Sequence, residues 1–185
     1  RQMCIRDRNY TARALTKLTT PFHMKKLFKI YALALLGLLL VKDVAAQTPI
    51  VICPQLNSFT GMTRGYHFTA NTTFTICGVY VEDDMSTLFQ SVEIVRFTAG
   101  PPPAFAANTN NFVSLFYQPN WAPNTMIPVP NIVVNPGDII GVYGSRGANS
   151  INSYGNPNCP VTINATPHTL QRSGMQADLS AMPMQ

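Results

Sequence analysis

RGYHFTANTTFTICGVYV, residues 64–81, decides the fold. Its first part, Arg64 to Ala70, alternates polar and apolar side chains between Gly61 and Asn71. That period of two sends successive side chains to opposite faces of a strand. Its second part, Thr73 to Val81, puts Phe74, Ile76, Gly78 and Tyr80 on one face and Thr75, Cys77, Val79 and Val81 on the other. Both faces carry bulk, so this strand is expected inside a sheet rather than at its rim.

The same pattern extends in both directions. A short strand is expected around Ile50 to Cys53. SVEIVRF (Ser91 to Phe97) places Val92 and Ile94 on one side and Glu93, Val95 and Phe97 on the other, until GPPPA ends it. FVSLFYQ (Phe112 to Gln118) is the next strand. Pro128 and Pro130 flank Val129 in an extended edge segment that leads into Ile132 to Val134. NPGD, Asn135 to Asp138, has Pro and Gly where a type II turn needs a fixed φ followed by a positive one, and it is expected to join IVV to DIIGVYG. In DIIGVYG, Gly141 and Gly144 mark a bulge or a close backbone approach. SINSY, VTIN and HTLQR are weaker strand candidates, and helix signal is confined to one short turn at DDMSTLFQ. Short strands separated by turn signals every ~8–12 residues indicate an all-β, antiparallel β-sandwich, jelly-roll-like in its first reading. The sequence reaches MPMQ without a closing strand, so a missing C-terminal strand and an unpaired sheet edge are expected.

Upstream, MKKLFKIYALALLGLLLVKDVAAQ (Met24 to Gln47) reads as an export signal. Lys25, Lys26 and Lys29 precede an apolar run from Ile30 to Val41, and Val44-Ala45-Ala46 sets small residues at the cleavage spacing, with the cut after Ala46. The run stops at Lys42 and Asp43, short of the ~20 residues that a spanning helix needs, so no membrane span is expected in the mature chain. Residues 1–23, opening RQMCIRDR, have no part in such a signal and read as a non-native extension, translated adapter sequence. Residues 47–185 are the expected domain.

Charge follows the same division. The whole chain carries +5. Residues 47–185 contain no lysine, and Arg64, Arg96, Arg146 and Arg172 face six carboxylates, Glu82, Asp83, Asp84, Glu93, Asp138 and Asp178, a balance of −2. Nucleic-acid binding needs clustered cations to displace counterions from phosphates and is excluded. Cys53, Cys77 and Cys159 remain in a compartment where disulfides persist. Cys77 lies inside a strand pattern as a small hydrophobe, and Cys53 with Cys159 is the expected bridge.

RGYHFTANTTFTICGVYV, QSVEIVRF, PPPAF, TNNFVSLFYQ, IPVPNIVVNPGDIIGVYGSRG, NSYG and LQRSGMQ, in that order, resemble the segments of a β-rich module found near the N-terminus of exported Bacteroidota proteins. The resemblance covers roughly Arg64 to Gln176. It implies a surface or released non-catalytic module of a larger protein delivered by type IX secretion, and it brings no catalytic residues.

The residues themselves carry no catalytic set. Tyr143 stands where a G-x-S-x-G elbow around Ser145 needs glycine. His67 sits in a strand, His168 follows Pro167 in an expected turn, and both read as structural. Glu82, Asp83 and Asp84 are weak calcium candidates because they lack the D-x-D-x-D-G alternation of a calcium loop. No dinucleotide or phosphate loop occurs, and no cofactor is expected. The ligand-binding candidates are Trp121 in QPNWAPN and Tyr154 in NSYGN, each a ring able to stack on a sugar or a partner protein, and Arg146 in YGSRGANS, which either donates its fork to a ligand or pairs with Asp138. The reading that results is a secreted, non-enzymatic binding or adhesion module for a glycan or surface protein. A spacer role comes second, and an extracellular hydrolase whose residues converge only in the fold comes third.

Overall fold

The computed structural model describes residues 2–6, 47–83, 86–175 and 178–184. Alternating apolar residues, frequent β-branching and repeated Pro and Gly turns leave extended chain as the only way to bury one face and wet the other. The described residues accordingly form strands and no helix: β1 (Gln2–Arg6), β2 (Gln47–Val51), β3 (Asn57–Phe59), β4 (Thr63–Thr69), β5 (Phe74–Tyr80), β6 (Gln90–Phe97), β7 (Phe112–Trp121), β8 (Ile127–Val134), β9 (Ile139–Arg146), β10 (Asn152–Tyr154), β11 (Asn158–Ile163) and β12 (Thr166–Met175). Among the described residues of DDMSTLFQ no helical turn forms. Asp84 and Met85 lie outside the described residues, and Gln90 already belongs to β6.

A six-stranded sheet in the order β11-β12-β4-β9-β6-β7 faces a four-stranded sheet in the order β2-β1-β5-β8, and β3 pairs with β10 in a small third sheet. Every pairing is antiparallel. The core lies between the two large sheets, with Phe68, Val92, Ile94 and Ile140 from one packing on Phe74, Ile76, Ile127 and Val134 from the other. The chain is thus an antiparallel β-sandwich. It crosses between sheets from β4 to β5, β5 to β6, β7 to β8 and β8 to β9.

Those crossings reinterpret the NPGD turn. Gly137 has φ +90° and Asp138 N–H donates to Asn135 O at 3.0 Å, so the turn forms where the sequence puts it. The strands it joins belong to different sheets, and it makes a corner rather than a hairpin. Ala70 pins the corner, donating to Asp138 O and accepting from Gly137 N–H, both at 2.8 Å.

Two sequence expectations shift. In β5 the register slips between Ile76 and Gly78 against β8, and the ladder to β1 skips Cys77 as well. Cys77 is bulged out, so the inward set changes from Phe74 and Ile76 to Val79. A single face running from Phe74 to Tyr80 does not exist, because one extra residue reverses the alternation beyond it. In β9 the register with β4 and β6 is unbroken, so Gly141 and Gly144 make close approaches and no bulge. A Cβ on Gly141 would stand 2.6 Å from the Tyr143 ring, and one on Gly144 2.8 Å from Val81 Cγ2.

β6 is buried on both faces, and its outward residues Val95 and Phe97 join Tyr143 and Leu179 in a second apolar cluster. Residues 178–184 cover that face. Tyr117 Oη donates to Leu179 O at 2.6 Å, Ser150 Oγ to Asp178 Oδ1 at 2.7 Å, and Met184 N–H to Glu93 Oε2. The expected export signal, residues 24–46, lies outside the described residues. Residues 2–6 of the segment read as a non-native extension do take a place in the fold, as β1, with Met3 buried in the core.

Candidate functional site

The four arginines of residues 47–185 have three different fates. Arg96 Nη2 lies 3.3 Å from Asp138 Oδ2 and donates to Val133 O, forming a half-exposed ion pair across the corner. Arg146 therefore does not pair with Asp138, and it does not face a ligand either: it is 1% exposed. Its Nε donates to Glu82 O at 2.9 Å and to Val81 O at 3.2 Å, its Nη1 to Leu88 O at 2.9 Å, and its Nη2 to Val81 O. The Tyr80 ring lies 5.2 Å from its Cζ. A guanidinium fork that satisfies three carbonyls holds the segment between β5 and β6.

Arg64 and Arg172 remain. In β4 and β12, Arg64 stands opposite Gly174 and Arg172 opposite Tyr66, so the two arginines are diagonal neighbours on one sheet face, a relation that spans roughly 7–8 Å. Each lies over an aromatic ring of the small sheet: Arg64 Cζ is 4.6 Å from the Phe59 centroid and Arg172 Cζ is 5.0 Å from the Tyr154 centroid. Cation–π stacking of this kind fixes the guanidinium plane and leaves its edge N–H groups available. Arg172 uses one of them on Gly155 O at 3.0 Å. Neither arginine makes an ion pair with a carboxylate among the described residues.

Local sequence explains the arrangement. Asn152, buried in β10, accepts Arg64 N–H at 2.7 Å and donates to Met62 O and Ser150 O, which locks the small sheet against β4. Gly174 leaves room for the Arg64 head, since a Cβ there would come within 2.8 Å of Nη1. Gly155 does the same for the loop, where a Cβ would meet Pro54 O at 2.4 Å and Tyr66 Oη at 3.6 Å. That Tyr66 hydroxyl is buried and has no hydrogen-bond partner among the described residues. Cys53 and Cys159 form a disulfide with Cα atoms 5.7 Å apart, tying the segment before Pro54 to β11. Cys77 is half-buried at the bulge and lies outside the disulfide.

Of the three ligand candidates from the sequence, only Tyr154 belongs to this cluster. Trp121 ends β7 instead of lying in a polar loop, and its partly buried ring packs on the core. Pro119 is tolerated inside that strand because β7 is the rim of its sheet. Arg64, Arg172 and Phe59 were not legible as a group, although the scarcity of cations was a usable signal. With no lysine and few arginines, each arginine not spent on structure counts.

The other candidates resolve separately. Tyr80 Oη donates to Asp83 Oδ2 at 3.0 Å, and Glu82 O receives Arg146; Asp84 lies outside the described residues, among which no group of three or more His, Cys, Asp or Glu is placed to hold a metal. His168 is buried in β12, not in a turn, with Asn71 N–H donating to its Nε2 at 2.9 Å and its Nδ1 2.9 Å from Thr166 O. His67 Nδ1 lies 3.2 Å from Ser173 Oγ, which lies 2.9 Å from Tyr143 Oη. Burial pulls the His67 pKa down, and its further partner is Gln171 rather than a carboxylate that would orient it as a base. Comparison with protein-family models, with curated proteins and with solved structures gives no match.

Proposed function

We propose that the chain is a secreted or cell-surface, non-catalytic binding module that takes an anionic sugar at the Arg64–Arg172 face. The observation that carries this reading is the pair of ring-stacked guanidiniums with no carboxylate partner among the described residues, standing diagonally on one sheet face. Such a pair suits a uronate carboxylate or a sulfate, because two preoriented forks can grip one anion. The Tyr154 and Phe59 rings add flat apolar surface beside it, and the resemblance to modules of exported Bacteroidota proteins agrees with a surface role.

The test uses the full chain and measures retention on polygalacturonate and heparin against a neutral dextran. Retention on the acidic polymers that weakens with salt is expected, and Arg64→Ala or Arg172→Ala should each weaken it by about 10- to 100-fold, the equivalent of a charged hydrogen bond at ~1.5–3 kcal/mol. Equal retention on dextran, or none on any polymer, refutes the anion-binding reading and leaves the spacer role. A hydrolase reading would need His67 and Ser173 to act together, and it predicts an acyl-transfer activity abolished by Ser173→Ala.

A further inference from the structure

Strand β1 is inserted between two strands that are far from it in sequence. It runs antiparallel to both, Met3 standing opposite Ile50 of β2 and Val79 of β5. Within the sheet β2 is paired to β1 alone, so the place of β1 is a slot with two facing rows of backbone N–H and C=O groups. The occupant that satisfies both rows is an extended polypeptide, because neither a sugar nor a side chain repeats donors and acceptors at the strand spacing. Residues 7–46 separate β1 from β2, and β2 begins at Gln47, the first residue after the expected cut. Cleavage after Ala46 breaks the only backbone link between β1 and the rest of the domain.

The fit of β1 is also incomplete. Met3 borders a cavity of about 30 Å³ whose other walls include Ile50, Tyr66, Phe68, Val79 and Leu170. Its ladder with β5 runs from Gln2 to Arg6 and steps over Cys77, the same bulge that interrupts the ladder of β5 with β8, so β1 follows the register that β5 sets for any strand in this place. We propose that the slot between β2 and β5 is a strand-acceptor site, filled after processing by an extended segment of a separate polypeptide that carries a larger apolar side chain at the position of Met3. This inference does not rest on the anion site, which lies on other strands.

The experiment takes the full chain with a protease recognition sequence inserted after Ala46. After cleavage, the chain is titrated with a labelled peptide of residues 1–8 in which Cys4 is replaced by Ser, and with Met3→Phe and Met3→Asp versions as competitors. Saturable entry is expected. The Met3→Phe peptide, larger by about the volume of the cavity, should compete about threefold better on the ~24 cal/mol per Å³ scale of cavity filling, and the Met3→Asp peptide should fail. A cut chain that loses its strand signal and regains it on adding peptide also supports the proposal. Failure of the peptide to enter, whether the cut chain stays folded or not, overturns it. So does equal entry of the Phe and Asp versions, or occupation of the slot by a second copy, seen as a dimer in sedimentation.

Discussion

Replacing Arg146 by alanine tests whether this side chain belongs to the architecture or to a ligand. The native guanidinium is 1% exposed and its donors go to the carbonyls of Val81, Glu82 and Leu88. Truncation removes a charged donor from each of these acceptors and opens space under the Tyr80 ring. Leaving three buried carbonyls without their donor costs about 1–3 kcal/mol each. A domain of this size has an unfolding entropy of about 0.3 kcal/mol per kelvin, so a loss of ~4 kcal/mol lowers Tm by about 13 °C. Arg146→Lys keeps the charge but not the fork and should recover about half of that loss. Urea and thermal denaturation of the full chain supply the assay, and proteolysis between residues 81 and 90 reports the local effect. A loss below about 1 kcal/mol, on the scale of an exposed ion pair, would refute the structural assignment. Loss of acidic-polymer retention at unchanged stability would return Arg146 to the ligand.

Reduction of the Cys53–Cys159 disulfide, which closes a span of 106 residues, should cost about 2–4 kcal/mol; an unchanged urea midpoint under reductant would contradict its role. Gly155→Ala should destabilise by about 1–3 kcal/mol, because its Cβ would meet the Pro54 carbonyl at 2.4 Å and backbone cannot yield as a side chain can; a neutral result would mean that the loop is free to move. Burial pushes the Glu93 carboxyl above its ordinary 4.5, so the folded state binds its proton more tightly than the unfolded chain does. Its contribution is therefore full below about 4.5 and is lost as pH rises through the raised folded value. Glu93→Gln should remove that decline while keeping an acceptor for Met184, whereas the opposing contributions of His67 and Asp178, whose pKa values are lowered, are common to both proteins. Parallel stability profiles from pH 4 to 8 would exclude the assignment (a range chosen to span about the carboxylate and histidine values).

The sequence by itself determined what is local. Alternation in Thr63–Thr69 and Gln90–Phe97 fixed those strands, because a period of two sends successive side chains to opposite faces whatever comes to cover each face. Pro136-Gly137 fixed a turn, because proline sets one φ and glycine alone accepts the next cheaply. Tertiary structure decided what depends on partners distant in the chain. It made NPGD a corner between sheets, reversed the inward face of β5 at Cys77 and enclosed Arg146 among carbonyls. It also brought Arg64 and Arg172 together across 108 positions of sequence through the pairing of β4 with β12. Side-chain direction along a strand is a property of the strand, whereas the side chain standing beside it belongs to the neighbouring strand, and pairing is settled only when the whole core closes.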